Sequence, residues 1–549
     1  MRKTLLSLAI AAICPLAASS QYVADPNANT KVTETVNNYG NYAAVSNDGV
    51  LYSVQLIPGR DDKGNTTLAY NLQILDKDGN RLMPAGGQTV SDFRNLSYTV
   101  VNDVLYADND GNCLVMVSDC RNAPAESNAR GYTIYKFGPD GKMVWPGGVD
   151  LSDGSVFEGA ALLKAVQVAD GGYVFAFVAP GDAATPARIY MEKLTKDGEK
   201  AWPQPVELAD SKTPYTYPYL VDAGDNQVLM VYAEGSNQYI KSQLYDFDGT
   251  PLWEKPLTVY QGGFDDTPLH TKLRVAKAPE GAFVTWSDDR NYENVYSNYI
   301  SYVRRDGTLG FPGGTNALKI SYANDYSRQV PMLAYNAEEQ SVYAIYRQYD
   351  QAYQTLCGIF MQKIGIDGEL QWGPEGKAII DMQQDRAVGY ATVQNAGGTD
   401  MAVFYQTNSH VGKDAKTYVM RIDKDGNDLW EEALEPATTV SEKSDLLSSA
   451  LIDGNYWIIT WEDLRGSSDY FSYALYAQRI NADGTLAGTG TGIDAPEAAT
   501  AATGEASAYS LSGTLVKQSV TDSEAMGLAP GIYVIKDKAT GKASKVAVK

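Results

Sequence analysis

Residues 423–430 read DKDGNDLW, and near copies recur as DKDGNRLM from Asp76, DFDGTPLW from Asp246 and GPDGKMVW from Gly138. Aspartate at this density invites a calcium-loop reading. Such a loop needs oxygen ligands at its first, third and fifth places, a glycine at the sixth and a glutamate at the twelfth. With Gly426 at the sixth place, Asp425 and Asp423 fall correctly, but the first place holds Arg421. For Gly79 that place holds Ile74, for Gly249 Leu244 and for Gly111 Tyr106, each part of a strand-like run. The first ligand fails every time. Asp-Gly between two alternating runs is instead a hairpin signal, because glycine reaches positive φ without a Cβ clash and aspartate tolerates it. The earlier aspartate accepts backbone N–H groups inside the turn. No cofactor is expected, with incidental calcium between acidic loops left open.

The hairpin is countable. An Asp-Gly pair recurs at Gly79, Gly141, Gly198, Gly249, Gly307, Gly368, Gly426 and Gly484, at spacings of 62, 57, 51, 58, 61, 58 and 58 residues. Alternating runs such as TIYKFGPDG and YVMRIDKDG precede it, and an apolar residue follows, as at Trp145, Trp202, Trp253, Trp372 and Trp430. Each repeat then shows a second strand pair, as in GGYVFAFVAP, GAFVTWSDDR and NYWIITWEDLR, rich in β-branched and aromatic residues. No segment sustains the 3.6-residue period of an amphipathic helix. Tandem units of four short strands predict an all-β chain, a β-propeller of about eight four-stranded blades over residues 21–493, with seven as the alternative count. Residues 28–42 are placed to add a strand to the last blade and close the ring.

Two further elements recur. Asp288 and Arg290 in TWSDDR, Asp463 and Arg465 in TWEDLR, and Asp119 and Arg121 in MVSDCR stand two apart at a strand end, hence on one face. They read either as a polar ring at the propeller mouth or as struts between blades. Tyrosine is abundant, at 38 residues, and gathers in loop text: YTYPY with Tyr215, Tyr217 and Tyr219, and NYENVYSNYISY with Tyr292, Tyr296 and Tyr299. A rigid ring with a polar tip suits protein and sugar surfaces alike, and also packing between strands. These tyrosines, with Asp288, Arg290, Asp463 and Arg465, are the candidate ligand-binding residues.

Catalytic signals are sparse. The only histidines are His270 and His410, in polar loop text without metal-ligand spacing. No G-x-S-x-G elbow or phosphate-cradling loop occurs, and paired carboxylates such as Asp265–Asp266 carry no geometry by adjacency alone. No catalytic residue is assigned, and the balance leans away from an enzyme. The formal charge of −22 argues against nucleic acid.

The chain opens MRKTLLSLAIAAICPLAASSQ: a basic head, an apolar stretch too short to span a membrane, then small residues before Gln21. Residues 1–20 read as an export signal, and loss of Arg2 and Lys3 takes the charge from −22 to −24. No later run is long enough for a membrane helix. Cys113, Cys120 and Cys357 then remain, too few for a disulfide scaffold, and are expected as buried thiols.

After a small-residue linker at 494–505, residues 506–549 alternate as a compact β module. Ser512-Gly513, Leu528-Ala529-Pro530-Gly531-Ile532-Tyr533 and the closing Lys545-Val546-Ala547-Val548-Lys549 carry a resemblance to the C-terminal sorting domain of the type IX secretion system. The resemblance implies passage across the outer membrane, with Gly513, Pro530, Gly531, Tyr533 and Lys545 in the signal and the secretion machinery as partner. It implies an address at the cell surface or beyond, not an activity. The expected function is a surface propeller binding a host or environmental protein through loop tyrosines. The alternatives are a polysaccharide-binding or glycoside-cleaving protein using cleft carboxylates, and a structural surface-layer component.

Overall fold

The structure is a computed structural model. It describes residues 21–486 except 35–38, 96–99, 159–161, 180, 182–184, 209–212, 236–238, 263–272, 291–294, 312–316, 323–325, 330, 351–355, 385–387, 408–413 and 466–472. Near the C-terminus it describes 506–510, 515–520, 528, 531–537 and 543–548. The signal-like residues 1–20, the linker 494–505, His270, His410, Tyr292, Gly513 and Pro530 lie outside the described residues.

Residues 1–487 form one compact unit and 488–549 another. In the first, every described element is a strand, and the strands fall into eight antiparallel sheets, one per repeat. Within a sheet the strands pair in chain order, as in blade 1: Gly40–Val45, Leu51–Arg60, Thr66–Leu75 and Gln88–Arg94. First strands pack against first strands of neighbouring blades, the arrangement of a propeller around a central channel. Second strands are buried on both faces, as in YVFAFVA (Tyr173–Ala179) and YWIITWED (Tyr456–Asp463), because neighbouring blades cover them. The cores therefore lie between blades. Phe404 of blade 7, for example, meets Trp457 of blade 8 edge-on at 5.8 Å between ring centroids.

Two blades depart from four strands. Blade 6 has five, and blade 7 has three, with a single bridge from Val419 to Leu434 where a fourth would run. Blade 8 takes its outer strand from the other end of the chain: Thr30–Lys31 pairs with Ala474–Asn481, Thr30 opposite Ala477 and Lys31 opposite Tyr476. The ring is closed from the N-terminal side, as residues 28–42 predict, and the count is eight.

The Asp-Gly turns are hairpins. At Gly426 (φ 81°) the amide donates to the Asp423 carbonyl at 3.0 Å, and Asp423 Oδ1 accepts the Asp425 and Asn427 amides at 2.9 and 2.8 Å. The carboxylate is occupied by its own turn. In most blades an apolar residue after the turn latches the next blade. Trp145, Trp202 and Trp253 donate Nε1–H to the carbonyls of Lys196, Phe247 and Arg305 at 3.1, 2.9 and 2.9 Å. Their rings lie against Gly198, Gly249 and Gly307, as do those of Trp372 on Gly426 and Trp430 on Gly484. Tyr22 serves this place for blade 1, packed on Gly79 with its amide donating to the Asp78 carbonyl at 3.1 Å.

The first-to-second and third-to-fourth strand turns share one end of the propeller, which we term the turn end. The second-to-third loops and the links between blades share the other, the loop end. Cys113, Cys120 and Cys357 are buried thiols outside any disulfide, and burial pushes the Cys113 thiol well above its ordinary range. The C-terminal unit is one antiparallel sheet in the order Leu515–Val520, Ala506–Ser510, Gly531–Asp537, Ala543–Val548. Gly531, Tyr533 and Lys545 lie on its strands.

Candidate functional site

TWEDLR occupies the loop end of a fully packed strand, so its residues alternate between two environments. Asp463 points into the sheet interior. It accepts Nε1–H of Trp461 at 3.0 Å and two bonds from Arg465, at 3.0 and 2.6 Å. Burial works to raise its pKa, but the guanidinium prevails and holds it below the usual carboxylate range. Arg465 lies over the Tyr476 ring at 4.1 Å and donates to Asn29 of the closing segment at 3.0 Å.

The pattern repeats in TWSDDR. Asp288 accepts from Trp286 at 2.8 Å and from Arg290 at 2.9 and 2.6 Å, and Arg290 stacks on Tyr299 at 3.4 Å and lies over Tyr260 of blade 4 at 5.0 Å. Arg121, paired with Asp119, reaches Phe93 and Ser91 of blade 1. These acid–arginine pairs have the geometry of struts that tie a strand end to its own third strand and to a neighbouring outer strand.

Of the candidate tyrosines, Tyr299 is buried under Arg290, and the Tyr296 amide donates to Ser327 Oγ at 3.2 Å. Tyr215 packs edge-on to Tyr232 at 5.6 Å. Tyr219 donates its hydroxyl to the Leu273 carbonyl at 2.7 Å, with Lys164 over its ring at 4.7 Å. Tyr217 sits at a bulge in the first strand of blade 4 with φ 52°, a strained value for a bulky side chain. These residues all belong to the loop end but do not converge on one site.

Glu462, between Trp461 and Asp463, emerges on the opposite face and meets a second group of residues. Asn41 of blade 1 donates Nδ2–H to Glu462 Oε1 at 2.7 Å, and its own Oδ1 accepts Nε2–H of Gln55 at 3.0 Å. Asp445 is the acidic neighbour of Glu462. Burial, then the charge of Asp445, pushes the Glu462 carboxyl up to about 7. Asp445 reaches this position from a bulge in Lys443–Ser448, where it adopts φ 51°. Bulges with left-handed residues recur beside functional sites, where they re-aim a side chain.

The surroundings are polar and aromatic. Glu442 accepts the Tyr473 hydroxyl at 2.6 Å, and the Tyr42 hydroxyl is raised by burial and by Glu462. Tyr39, immediately before the first strand of blade 1, is 49% exposed, and Leu447, two residues past Asp445, is 37% exposed. The group spans the seam at which blade 8 closes on blade 1. Sequence reasoning singled out Asp463 and Arg465 and passed over Glu462, immediately before them. Strand alternation in TWEDLR was the available signal, but nothing in KSDLLS announces a bulge at Asp445. Among the described residues, no three His, Cys, Asp or Glu side chains converge to hold an ion.

No family model and no curated protein matches the chain. Similar solved structures include the polysaccharide lyase Uly1, at 9% identity over 74% of this chain and 93% of that one, with a TM-score of 0.42. An α-L-arabinanase of Penicillium chrysogenum complexed with arabinobiose matches at 11% identity over 70% and 93%, TM-score 0.34. A post-proline cleaving enzyme from Rickettsia typhi matches at 10% over 79% and 58%, TM-score 0.42. Likeness at this level assigns no activity.

Proposed function

We propose that the protein binds a glycan at the seam between blades 8 and 1, with Glu462 and Asp445 as the recognition pair. The observation that carries this reading is the hydrogen bond across the seam, in which Asn41 Nδ2–H orients the Glu462 carboxyl at 2.7 Å with Asp445 as its acidic neighbour. A carboxylic acid beside a carboxylate offers one O–H donor and several acceptors, which suits neighbouring hydroxyl groups. The exposed ring of Tyr39 supplies an apolar face for a sugar's C–H side. Tyr215, Tyr219 and Tyr299 are committed to contacts within the propeller, so the reading rests on the carboxylates and not on those tyrosines. The signal-like N-terminus and the tail's resemblance support an exported, surface-displayed protein carrying this site.

Glycoside cleavage is the second reading, favoured by one feature: Glu462 keeps its proton near pH 7, as a general acid must. Against it, glycosidases hold their two carboxyls about 5–9.5 Å apart to flank the scissile bond. Asp445 acts directly on the Glu462 carboxyl and does not stand across a bond from it, and binding is the reading we adopt. Calorimetric titration of a panel of oligosaccharides, run beside a reducing-end assay, tests both. We expect at least one glycan to bind, Glu462→Gln to weaken it about tenfold through loss of one charge-assisted hydrogen bond, and no new reducing ends. Failure of every glycan to bind sinks the reading. Reducing ends that disappear in Glu462→Gln would establish cleavage instead.

A further inference from the structure

We propose a second sugar site, at the turn end between blades 7 and 8, where a neutral sugar ring packs on Trp430. It does not depend on the site at the seam of blades 8 and 1. The cavity that holds it has a cause in the fold. Blades 1 to 5 each carry a fourth strand along the outside of the third, as Leu257–Gln261 does in blade 4. In blade 7 the third strand, Lys416–Ile422, has only the single bridge from Val419 to Leu434 where that strand would run. A cavity of about 650 Å³ lies there, lined by Tyr418, Trp430, Leu434, Glu431, Glu432 and Asp483. That volume falls in the range of small-ligand sites.

The observation that points to a ligand is a donor without a partner. Trp145, Trp202 and Trp253 each donate the indole N–H to the carbonyl two residues before the glycine they cover. For Trp430, which covers Gly484, that carbonyl belongs to Ala482, and Arg421 Nη1 takes it at 2.9 Å. Trp430 Nε1–H is left with no hydrogen bond among the described residues.

The acceptors beside it divide in two. Glu435 is paired with Lys416 at 3.0 Å, and Asp483 Oδ1 accepts the Thr485 amide and hydroxyl at 3.0 and 2.7 Å. Glu431 and Glu432 are exposed and, like Asp483 Oδ2, accept nothing among the described residues.

These groups together select one chemistry. The indole N–H needs an acceptor, which an ammonium or guanidinium lacks. The carboxylates need donors, and a ligand carboxylate or sulfate has none and meets like charge. A hydroxyl group is donor and acceptor at once. A ring that carries several hydroxyls and keeps an apolar C–H face also suits the flat walls of Trp430 and Tyr418.

The test titrates the full chain by calorimetry with neutral arabinan, galactan, xylan and mannan oligosaccharides, and with oligolysine and oligogalacturonides as charged probes. Wild type is compared with Trp430→Phe, with Glu431→Gln and Glu432→Gln combined, and with Glu462→Gln. The Trp430 N–H holds nothing inside the protein, so Trp430→Phe should melt closer to wild type than Trp202→Phe does. We expect a neutral oligosaccharide whose binding survives Glu462→Gln, weakens about fivefold in Trp430→Phe through loss of one hydrogen bond, and weakens in the combined glutamine variant. Neutral-sugar binding that Trp430→Phe does not move overturns this inference, and if Glu462→Gln abolishes that binding the seam reading stands alone. A charged probe that binds more tightly than every neutral sugar, and loses binding in the combined variant, overturns it as well. Absence of any glycan binding overturns both sites.

Discussion

Six residues before the turn glycine, four blades carry a glutamine: Gln73, Gln243, Gln362 and Gln478. The first three brace their own hairpins from both ends of the amide, whereas Gln478 sends its Nε2–H to the Val23 carbonyl of the closing segment. Gln243 Oε1 accepts the Leu244 amide at 3.0 Å and its Nε2 donates to the Trp253 carbonyl at 3.2 Å, and Gln362 serves Lys363 and Gly373 in the same way. Blade 3 has Glu192 there. Its Oε1 still accepts the Lys193 amide at 3.0 Å, but Oε2 has no hydrogen bond, and Lys200 Nζ stands 3.6 Å away. Burial dominates and raises the Glu192 pKa in spite of that lysine. The folded state thus holds this proton more tightly than the unfolded chain, and stability falls as pH rises from the ordinary glutamate range through the raised value. Glu192→Gln restores the missing donor and removes the titration. We expect a gain of about 1 kcal/mol in urea denaturation near neutral pH, larger at pH 8 than at pH 5. A loss, or an equal gain at both, would contradict the brace.

At the scale of the element, the unit of cohesion is turn plus latch. Trp202 is nearly buried, covers Gly249 of the next blade and donates to the Phe247 carbonyl at 2.9 Å. Trp202→Ala should cost about 3 kcal/mol by chemical denaturation, the usual range for emptying a large aromatic site. Trp202→Phe should cost about 1 kcal/mol, the bond alone. Equal losses in the two variants would assign the whole effect to the hydrogen bond. How far such elements are legible follows from what a periodic pattern records. Asp423, Asp425 and Gly426 announce a hairpin locally, because the turn's φ and its Asp acceptor are both encoded within five residues. Trp430 is equally visible, yet its partner Gly484 lies a full repeat away, and spacing cannot separate contacts within a blade from contacts between blades. The seam site was less legible still. Asp463 and Arg465 stood out because they recur. Glu462 and Asp445 occur in one blade only, and their meeting depends on a bulge and on residues such as Asn41 some 400 positions distant.

For the whole molecule, the question is what holds a ring of eight similar sheets shut. Seven seams join blades consecutive in the chain, whereas the eighth joins blade 8 to blade 1 and is held by the segment 21–34. There Thr30–Lys31 completes the blade 8 sheet, Arg81 of blade 1 donates to the Lys31 and Val32 carbonyls at 2.6 and 3.0 Å, and Gln478 of blade 8 donates to the Val23 carbonyl at 2.9 Å. Asn29 donates to the Pro436 carbonyl at 2.8 Å, fastening the link from blade 7. Linear repeat arrays open from their ends, and a closed ring forbids this only while its last seam holds. A chain lacking residues 21–34 should therefore keep blades 2 to 6 protected from amide exchange while Ala474–Asn481 and Gly40–Val45 lose protection. Glycan binding should fall with them, because Asn41 on one side of the seam and Glu462 on the other must meet to form the site. Adding a synthetic 21–34 peptide in excess should restore both, since binding to the closed form alone stabilises it by mass action. Full protection of Ala474–Asn481 in the truncated chain would show that the seam closes by blade packing alone, and the N-terminal strand would then be an ornament of the ring, not its clasp.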